Sequence, residues 1–201
     1  MQLVLATANE GKFREIANIL SDLRISFLSI ASLGGHIPPV ESGATYAENA
    51  ATKAKAAAEL SGYWALADDS GLEVEALGGQ PGVHSNRYLG PTATDRERNQ
   101  RILELLTGIP RSWRGASFQC VVAVAGPGGE LTLFHGSCQG IIAEAPNGDG
   151  GFGYDPIFIV PEYGVTMASL PPDAKNRISH RARALEKAKP LLRRFVCRSV
   201  S

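Results

Sequence analysis

The chain has 201 residues, of which 44% are hydrophobic and 20% charged, as is typical of a globular protein with a sizeable core. Its 20 basic and 20 acidic residues cancel, so no overall charge favours binding to nucleic acid or to a membrane surface. No apolar run reaches the roughly 18 residues of a membrane span. The N-terminus lacks signal-peptide features, and three scattered cysteines suit a reducing compartment, so we expect a cytoplasmic protein.

Apolar periodicity and capping residues predict a mixed α/β chain. Asn9 caps the first helix, and Thr45–Glu48 and Thr94–Glu97 have the capping-box pattern that begins the next two. A glycine- and proline-rich turn at 126–129 indicates a hairpin, and Pro190 is expected to bend or break the last helix. In chain order we predict strands near 3–6 and 25–30, a helix from 45 to about 61, a strand at 64–67, a helix after 94, strands at 116–125 and 130–143, and a helix from 179.

The segment Thr7-Ala8-Asn9-Glu10-Gly11-Lys12 lies at a junction between a strand and a helix. Free N–H groups at a helix N-terminus, a glycine and a lysine suit the binding of phosphate. The segment is not a Walker A loop, because the G-x-x-x-x-G-K-[ST] pattern is absent. The alternative interpretation is an ordinary capped helix with a surface lysine.

Two stripes are predicted on the first two helices. Asn49 and Lys53, spaced i and i+4, share one strip of the second helix. On the first helix, the apolar residues that follow the i, i+3, i+4, i+7 rule are Phe13, Ile16, Ala17 and Leu20.

Two adjacent carboxylates, Asp68 and Asp69, follow the apolar residues 64–67. We expect them at the end of a strand, at the rim of the sheet, where sites in α/β proteins form. Since neighbouring strand residues point to opposite faces, only one should face a ligand while the other orients it. Glu41 could add a second carboxylate, because Mg²⁺ prefers one or two carboxylates together with substrate phosphates and water. The alternatives are a turn-forming Asp-Asp-Ser-Gly and a solvated glutamate.

The run Gly150–Pro156 alternates glycines with the aromatic residues Phe152 and Tyr154. Such a run is poor material for a helix or a strand. It suits a loop in which backbone and flat rings approach a flat ligand closely.

A cluster of cations surrounds Ser179, the predicted cap of the last helix. A helix N-terminus disfavours each cation by about 0.3–1 kcal/mol, so a bound anion would remove this cost. Departures of this kind from a local rule are expected at functional sites. The alternative is a local salt bridge with a residue such as Asp173. The residues that form the cluster are Lys175, Arg177, His180 and Arg181.

Together these segments resemble the inosine triphosphate pyrophosphatase family, whose members are also called Ham1-like or RdgB-like. The resemblance runs from residue 2 to about residue 192, in order and without large gaps. His84, Asn86 and Ser169 depart from the family pattern, but none of them is a site position. The matching segments are 7–12, 41–50 with Lys53, 67–74, 77–83, 151–158, and Lys175 with 179–181.

The resemblance implies an α/β fold with an elongated mixed central β-sheet flanked by helices. It also implies two lobes with an active-site cleft between them, as in ITPase and Maf-like proteins, within one domain over residues 1–201. The implied protein is a homodimer that binds neither nucleic acid nor a membrane. Its implied activity is Mg²⁺-dependent hydrolysis of inosine and xanthosine triphosphates, and of their deoxy forms, to monophosphate and pyrophosphate, which cleanses the nucleotide pool.

The resemblance also implies a role for each site residue. Asp69 would activate water and, with Glu41, bind Mg²⁺, and Ser70 would lie beside it. The implied phosphate-binding residues are Thr7, Ala8, Asn9, Glu10, Gly11, Lys12 and Lys53. The residues implied to hold the base and the nearby phosphate are Phe152, Gly153, Tyr154, Asp155, Lys175, His180 and Arg181.

Two other functions fit parts of the sequence. A Maf-like nucleotide pyrophosphatase would share the architecture but prefer other nucleotides, and a nucleotide-sensing protein would keep the pocket without turnover. Intact Glu41, Asp69 and Lys12 argue against the sensor. A purine with a 6-oxo group offers an acceptor to a lysine or arginine, whereas adenine offers an amino donor there. We therefore expect discrimination at the base, worth about 1–3 kcal/mol for each mispaired buried group.

Overall fold

The computed structural model describes residues 2–30 and 43–198. Within these ranges no helix is long and apolar enough to cross a bilayer. The strands are β1 (Gln2–Leu5), β2 (Ser26–Ser29), β3 (Trp64–Val74), β4 (Gly115–Ala125), β5 (Leu131–Ile142), β6 (Phe158–Val160) and β7 (Val165–Thr166). The helices are α1 (Glu10–Ile19), α2 (Tyr46–Ser61), α3 (Asp95–Leu105), α4 (Pro172–Ile178) and α5 (His180–Arg198).

The strands form one mixed sheet in the order β2-β1-β3-β4-β5-β6-β7. β1 pairs in parallel with both β2 and β3, while β6 pairs antiparallel with β5 and β7. A parallel pair needs a crossover connection, and α1 lies in the chain between β1 and β2. The expected α/β fold with a mixed sheet and flanking helices is therefore confirmed.

The described chain divides into two compact units, each with its own hydrophobic core. The first consists of residues 2–30, 43–69, 120–136 and 180–198, and the second of residues 70–119 and 137–179. In the second unit, Leu72 of β3 packs with Ile102 of α3, Ile142 of β5 and Phe158 of β6.

Strand alternation divides the core of the first unit into two clusters. Leu3 and Leu66 belong to a cluster that includes side chains of α1 and α5. Val4 and Ala65 belong to a second cluster, in which the alanines of α2 pack. Because adjacent strand residues point to opposite faces, α1 and α5 cover one face of β1 and β3, and α2 covers the other.

The predicted end of β3 was wrong, and of the two outcomes predicted for Pro190, a bend or a break of the helix, the structure excludes the break. β3 does not end at residue 67 but continues to Val74, because Leu72 and Val74 resume the buried pattern after the polar residues. α5 runs through Pro190 without a break. Pro190 lies on the exposed side, where the carbonyl that loses its helical partner can bind water, and buried Leu185 and Leu192 fix the helix on either side.

Candidate active site

Asp68 and Asp69 lie inside β3 rather than at an exposed strand end, and each is only 2% exposed. The expected position at the rim of the sheet was therefore wrong. The expected alternation is confirmed, because Asp68 contacts residues of α1 and α5, whereas Asp69 contacts residues of α2. Ser70 follows them and is half-buried. Burying a charge is costly unless it is paired, so the cations around each carboxylate decide its state.

Asp68 is held by two cations. Its Oδ2 lies 3.1 Å from Lys12 Nζ and 2.9 Å from one Arg181 amino group, and Arg181 Nε also donates to it at 3.2 Å. The opposite amino group of Arg181 pairs with Glu15. Burial alone would raise the pKa of Asp68, but Arg181, Lys12 and Lys53 outweigh it and hold that pKa far below its usual range. Asp68 is therefore a permanently ionised partner of these cations.

Asp69 lies in a different electrostatic environment. Lys53 Nζ donates to its Oδ1 at 2.7 Å, and Asn49 Nδ2 donates to its Oδ2 at 3.1 Å. Burial raises the pKa of Asp69, and the opposing effects of Lys53, Lys12 and Asn49 do not fully offset it. A carboxylate whose charged form is disfavoured gains from a further positive charge or from a proton. Asp69 is thus the carboxylate whose negative charge is less fully compensated by its surroundings.

The start of α1 has the geometry expected from its sequence. Asn9 is the N-cap, its Oδ1 accepts from the backbone N–H of Lys12 at 3.0 Å, and its own N–H donates to Thr7 Oγ1 at 3.1 Å. A cavity of about 420 Å³ adjoins this turn and is lined by residues 7–10, Phe13, Arg14 and Ser29. The cavity has room for an anionic group beside the helix N-terminus.

The buried side of α1 is rotated from the predicted stripe. Lys12 and Glu15 are buried with Ile16, whereas Phe13 is only half-buried. The rotation brings both charged residues to the Asp68 cluster. Sequence reasoning missed Glu15, although a glutamate one helical turn from Lys12 and beside an apolar position was a usable signal. The i, i+4 pair Asn49 and Lys53, in contrast, was correctly placed on one strip of α2.

The glycine-rich loop of the second unit surrounds a second ion pair. Asp155 Oδ2 accepts from Lys175 Nζ at 2.6 Å and from the backbone N–H of Phe152 at 2.9 Å. The same ammonium group lies 4.6 Å from the centroid of the Phe152 ring, within cation–π distance. Gly151 adopts φ +73°, and a Cβ there would lie only 2.1 Å from Asp155 Oδ2. Only glycine lets this loop close on its own carboxylate.

The cations around Ser179 belong to two helices, which corrects the predicted single helix end. Lys175 and Arg177 lie in the last turn of α4, where the helix dipole favours cations. Ser179 is the C-cap of α4, and His180 and Arg181 begin α5. His180 and Arg181 are both buried. Lys175 and Arg181, which the sequence grouped together, have different ion-pair partners.

One predicted metal ligand, Glu41, lies outside the described residues. Among the residues that the structure describes, no three His, Cys, Asp or Glu side chains form a metal-binding group. Asp69 nevertheless fits a divalent cation, because it is a hard oxygen donor whose charge is incompletely compensated. Such a cation would need further oxygen ligands from a phosphate or from water.

The fold and the site define an α/β protein with a buried carboxylate–cation cluster beside a helix N-terminus. The chain belongs to the Ham1 family, whose model matches residues 3–191. It is 50% identical to the dITP/XTP pyrophosphatase of Desulforamulus reducens over 97% of each chain. It is also 50% identical to that of Geobacter sulfurreducens over 92% of each. A Ham1 protein structure from Coxiella burnetii superposes with a TM-score of 0.85 at 45% identity, covering 96% of this chain and 98% of that one.

The opposite pKa shifts predict that the two aspartates affect stability differently. Asp68→Asn should lower the free energy of unfolding at pH 7 by about 3 kcal/mol, because it removes the carboxylate that Lys12 and Arg181 share in a buried cluster. Since folding depresses the pKa of Asp68, its contribution is present above the ordinary value of 3.8 and is lost as pH falls below it. Urea unfolding of wild type and variant at pH 7 and at about pH 3 should therefore show the difference shrinking in acid.

The matched control is Asp69→Asn. Because folding raises the pKa of Asp69, ionisation of this group costs stability at neutral pH, and its removal should leave the free energy of unfolding unchanged or higher. Equal losses for both variants at pH 7 would contradict the different environments of the two carboxylates.

Proposed function

We propose that this chain hydrolyses inosine and xanthosine triphosphates, and their deoxy forms, to the monophosphate and pyrophosphate in the presence of Mg²⁺. The observation that carries the proposal is Asp69, a buried carboxylate of raised pKa between Lys53 and Asn49. The activity in the names of the half-identical relatives supports it. On the pattern of the family, we also propose a homodimeric, cytoplasmic enzyme.

Asp69 is proposed as both the general base and a metal ligand, with Glu41 as the second ligand. A general base works best when its pKa lies closer to the operating pH, and burial moves the pKa of Asp69 in that direction. A bound Mg²⁺ would neutralise phosphate charge and polarise the phosphoryl group. Lys53 and Asn49 hold the carboxylate in one orientation, and Ser70 follows it on the strand.

Charge balance explains why a divalent cation should be required. The cluster of the first unit contains three cations and three carboxylates, so its formal charges cancel when all are ionised. These are Lys12, Lys53 and Arg181 against Glu15, Asp68 and Asp69. A triphosphate brings several negative charges into this neutral cluster, and a metal ion would supply the missing positive charge. The lysines and the N-terminus of α1, residues 7–12, would hold the phosphates.

The base is proposed to bind at the glycine-rich loop, residues 152–155. Phe152 offers an aromatic face, and Lys175 offers a donor for a 6-oxo group. An adenine amino group would leave that donor unpaired, which disfavours adenosine triphosphate. The proposal for Arg181 is that it orients the site through Asp68 and Glu15, in addition to contacting substrate with His180.

The reaction products test the proposal directly. Inosine triphosphate incubated with enzyme and Mg²⁺ should give inosine monophosphate and pyrophosphate, and chelation of the metal should abolish turnover. Chromatography of the nucleotides with a pyrophosphate assay measures this. Thymidine and uridine triphosphates serve as comparison substrates. Release of orthophosphate and a diphosphate, or a preference for the pyrimidine nucleotides, would refute the proposed activity.

Asp69→Asn should lower kcat by about 10²–10⁴-fold, the usual contribution of a general base, and weaker metal binding should add to the loss. The change keeps the shape of the side chain and should not reduce stability. Steady-state rates over a range of Mg²⁺ concentrations measure it. Asp68→Asn, assayed at a temperature where it remains folded, should lose less activity. Equal losses in both folded variants would show that the two carboxylates share one role.

Base selectivity should depend on Lys175 but not on Lys53. Lys175→Ala should narrow the preference for inosine over adenosine triphosphate, because it removes the donor beside Phe152. Lys53→Ala should reduce kcat/KM for both substrates by similar factors, because they have the same phosphates. If the preference survives intact in Lys175→Ala, selectivity arises elsewhere, for example in the backbone of the glycine-rich loop.

A further inference from the structure

The peptide of Gly153 is held on both sides by helix α3. The backbone N–H of Gly153 donates to Asp95 Oδ2 at 2.7 Å, and its carbonyl accepts from Asn99 Nδ2 at 3.0 Å. Gly153 has φ +65°, a left-handed conformation that places its two neighbours, Phe152 and Tyr154, in directions an ordinary residue would not. Two side chains one helical turn apart therefore fix the central residue of the loop.

Helix α3 is itself anchored at its N-terminus and in the core of the second unit. Its first turn has a complete capping box between Thr94 and Glu97, and Ile102 is fully buried in the core of the unit. Arg98 pairs with Asp95 at 3.0 Å and donates to the carbonyl of Tyr88 at 3.1 Å. The helix therefore holds Asp95 against the loop from a fixed position.

The hydrogen bond from the Asn99 side chain to Gly153 explains why an asparagine is buried at this position. The residue is only 5% exposed, and its Oδ1 has no hydrogen-bond partner among the described residues. Burying an amide that is only half satisfied is unfavourable. A residue that served packing alone would be better replaced by an apolar one, so the bond from Nδ2 to Gly153 is the property that an asparagine supplies here.

The other side of the loop is fixed as well. Tyr154 donates from its hydroxyl to the carbonyl of Ser85 at 3.0 Å, and Phe152 donates from its N–H to Asp155. Gly153 lies between these two anchors and next to Phe152, whose ring centroid is 4.6 Å from the Lys175 ammonium group. We therefore expect a change at Gly153 to alter how the aromatic face of Phe152 lies against the Lys175 donor.

We propose that Asp95 and Asn99 are positioning residues for base recognition, which hold Gly153 so that Phe152 and Lys175 discriminate a 6-oxopurine from a 6-aminopurine. The inference rests on the proposed function. It adds to that function two residues on α3 that act on the substrate only through the loop. Neither residue belongs to the carboxylate cluster, so the chemical step should not depend on them.

The test compares three variants by kcat and KM for inosine and adenosine triphosphates. Asp95→Ala and Asn99→Ala should each lower the preference for inosine triphosphate by about tenfold, the size of one hydrogen bond. The loss should lie in a raised KM, with kcat for inosine triphosphate within about twofold of wild type. Asp95→Asn should restore most of the preference, because an amide oxygen still accepts from the Gly153 N–H although the ion pair with Arg98 is lost.

Glu97→Ala is the matched control for a merely structural role. It removes the capping box of the same helix without touching Gly153, so it should lower Tm and leave the preference unchanged. Asp95 is exposed on the helix, so its variants should fold even if Asn99→Ala does not.

The outcomes separate this inference from the function on which it rests. An unchanged preference in folded Asp95→Ala overturns the inference alone, and so does an equal drop in Glu97→Ala. Failure of Asp95→Asn to recover also overturns it, because the ion pair rather than the hydrogen bond would then be responsible. A wild-type enzyme without any preference for inosine triphosphate would overturn the proposed base recognition and this inference together.

Discussion

Two buried carboxylates on adjacent residues of one strand constrain the architecture of the first unit. Asp68 and Asp69 point to opposite faces of β3, so a single cation cannot neutralise both. Each face must therefore supply its own positive charge. Lys12 and Arg181 do so from α1 and α5, and Lys53 does so from α2. Ion pairs with Asp68 and Asp69 therefore hold the three helices against the sheet, in addition to apolar packing.

The same constraint gives the two carboxylates different properties. Asp68 has more cationic partners than its burial requires, and its pKa falls, whereas Asp69 has fewer and its pKa rises. An over-compensated carboxylate is a good structural anchor and a poor base. An under-compensated one accepts a proton or a metal readily. Two chemically identical side chains thereby differ in how fully their charge is compensated, and only their surroundings cause the difference.

The sequence predicted the parts of the site that depend on local rules. Caps at Asn9 and Thr94, the alternation of Asp68 and Asp69, and the i, i+4 strip of α2 all follow from short-range geometry. The continuation of β3 could not be predicted in this way, because a strand with two buried aspartates is stable only if distant cations reach them. The spacing of Glu15 from Lys12 was a usable signal for its place in the cluster, but its ion pair with the distant Arg181 could not be predicted from local rules. The length of β3 and the partners of its aspartates thus depend on ion pairs between residues far apart in the chain, which local propensity does not determine.

The carboxylates of the first unit and Gly153 of the second unit are held by different interactions. Substitutions around them should therefore affect folding to different extents. In the first unit, buried ion pairs fix the carboxylates, so a change there alters folding and chemistry together. In the second unit, an ion pair between Asp155 and Lys175 also fixes the glycine-rich loop, but Gly153 itself is held by two single hydrogen bonds to side chains of α3, one of which, Asp95, is exposed. We expect loss of the bond to exposed Asp95 to cost little stability and to displace the aromatic ring of Phe152 beside Lys175. If the proposed base recognition holds, substitution of Asp95 on α3 should therefore change base preference while the carboxylate cluster and the fold remain intact.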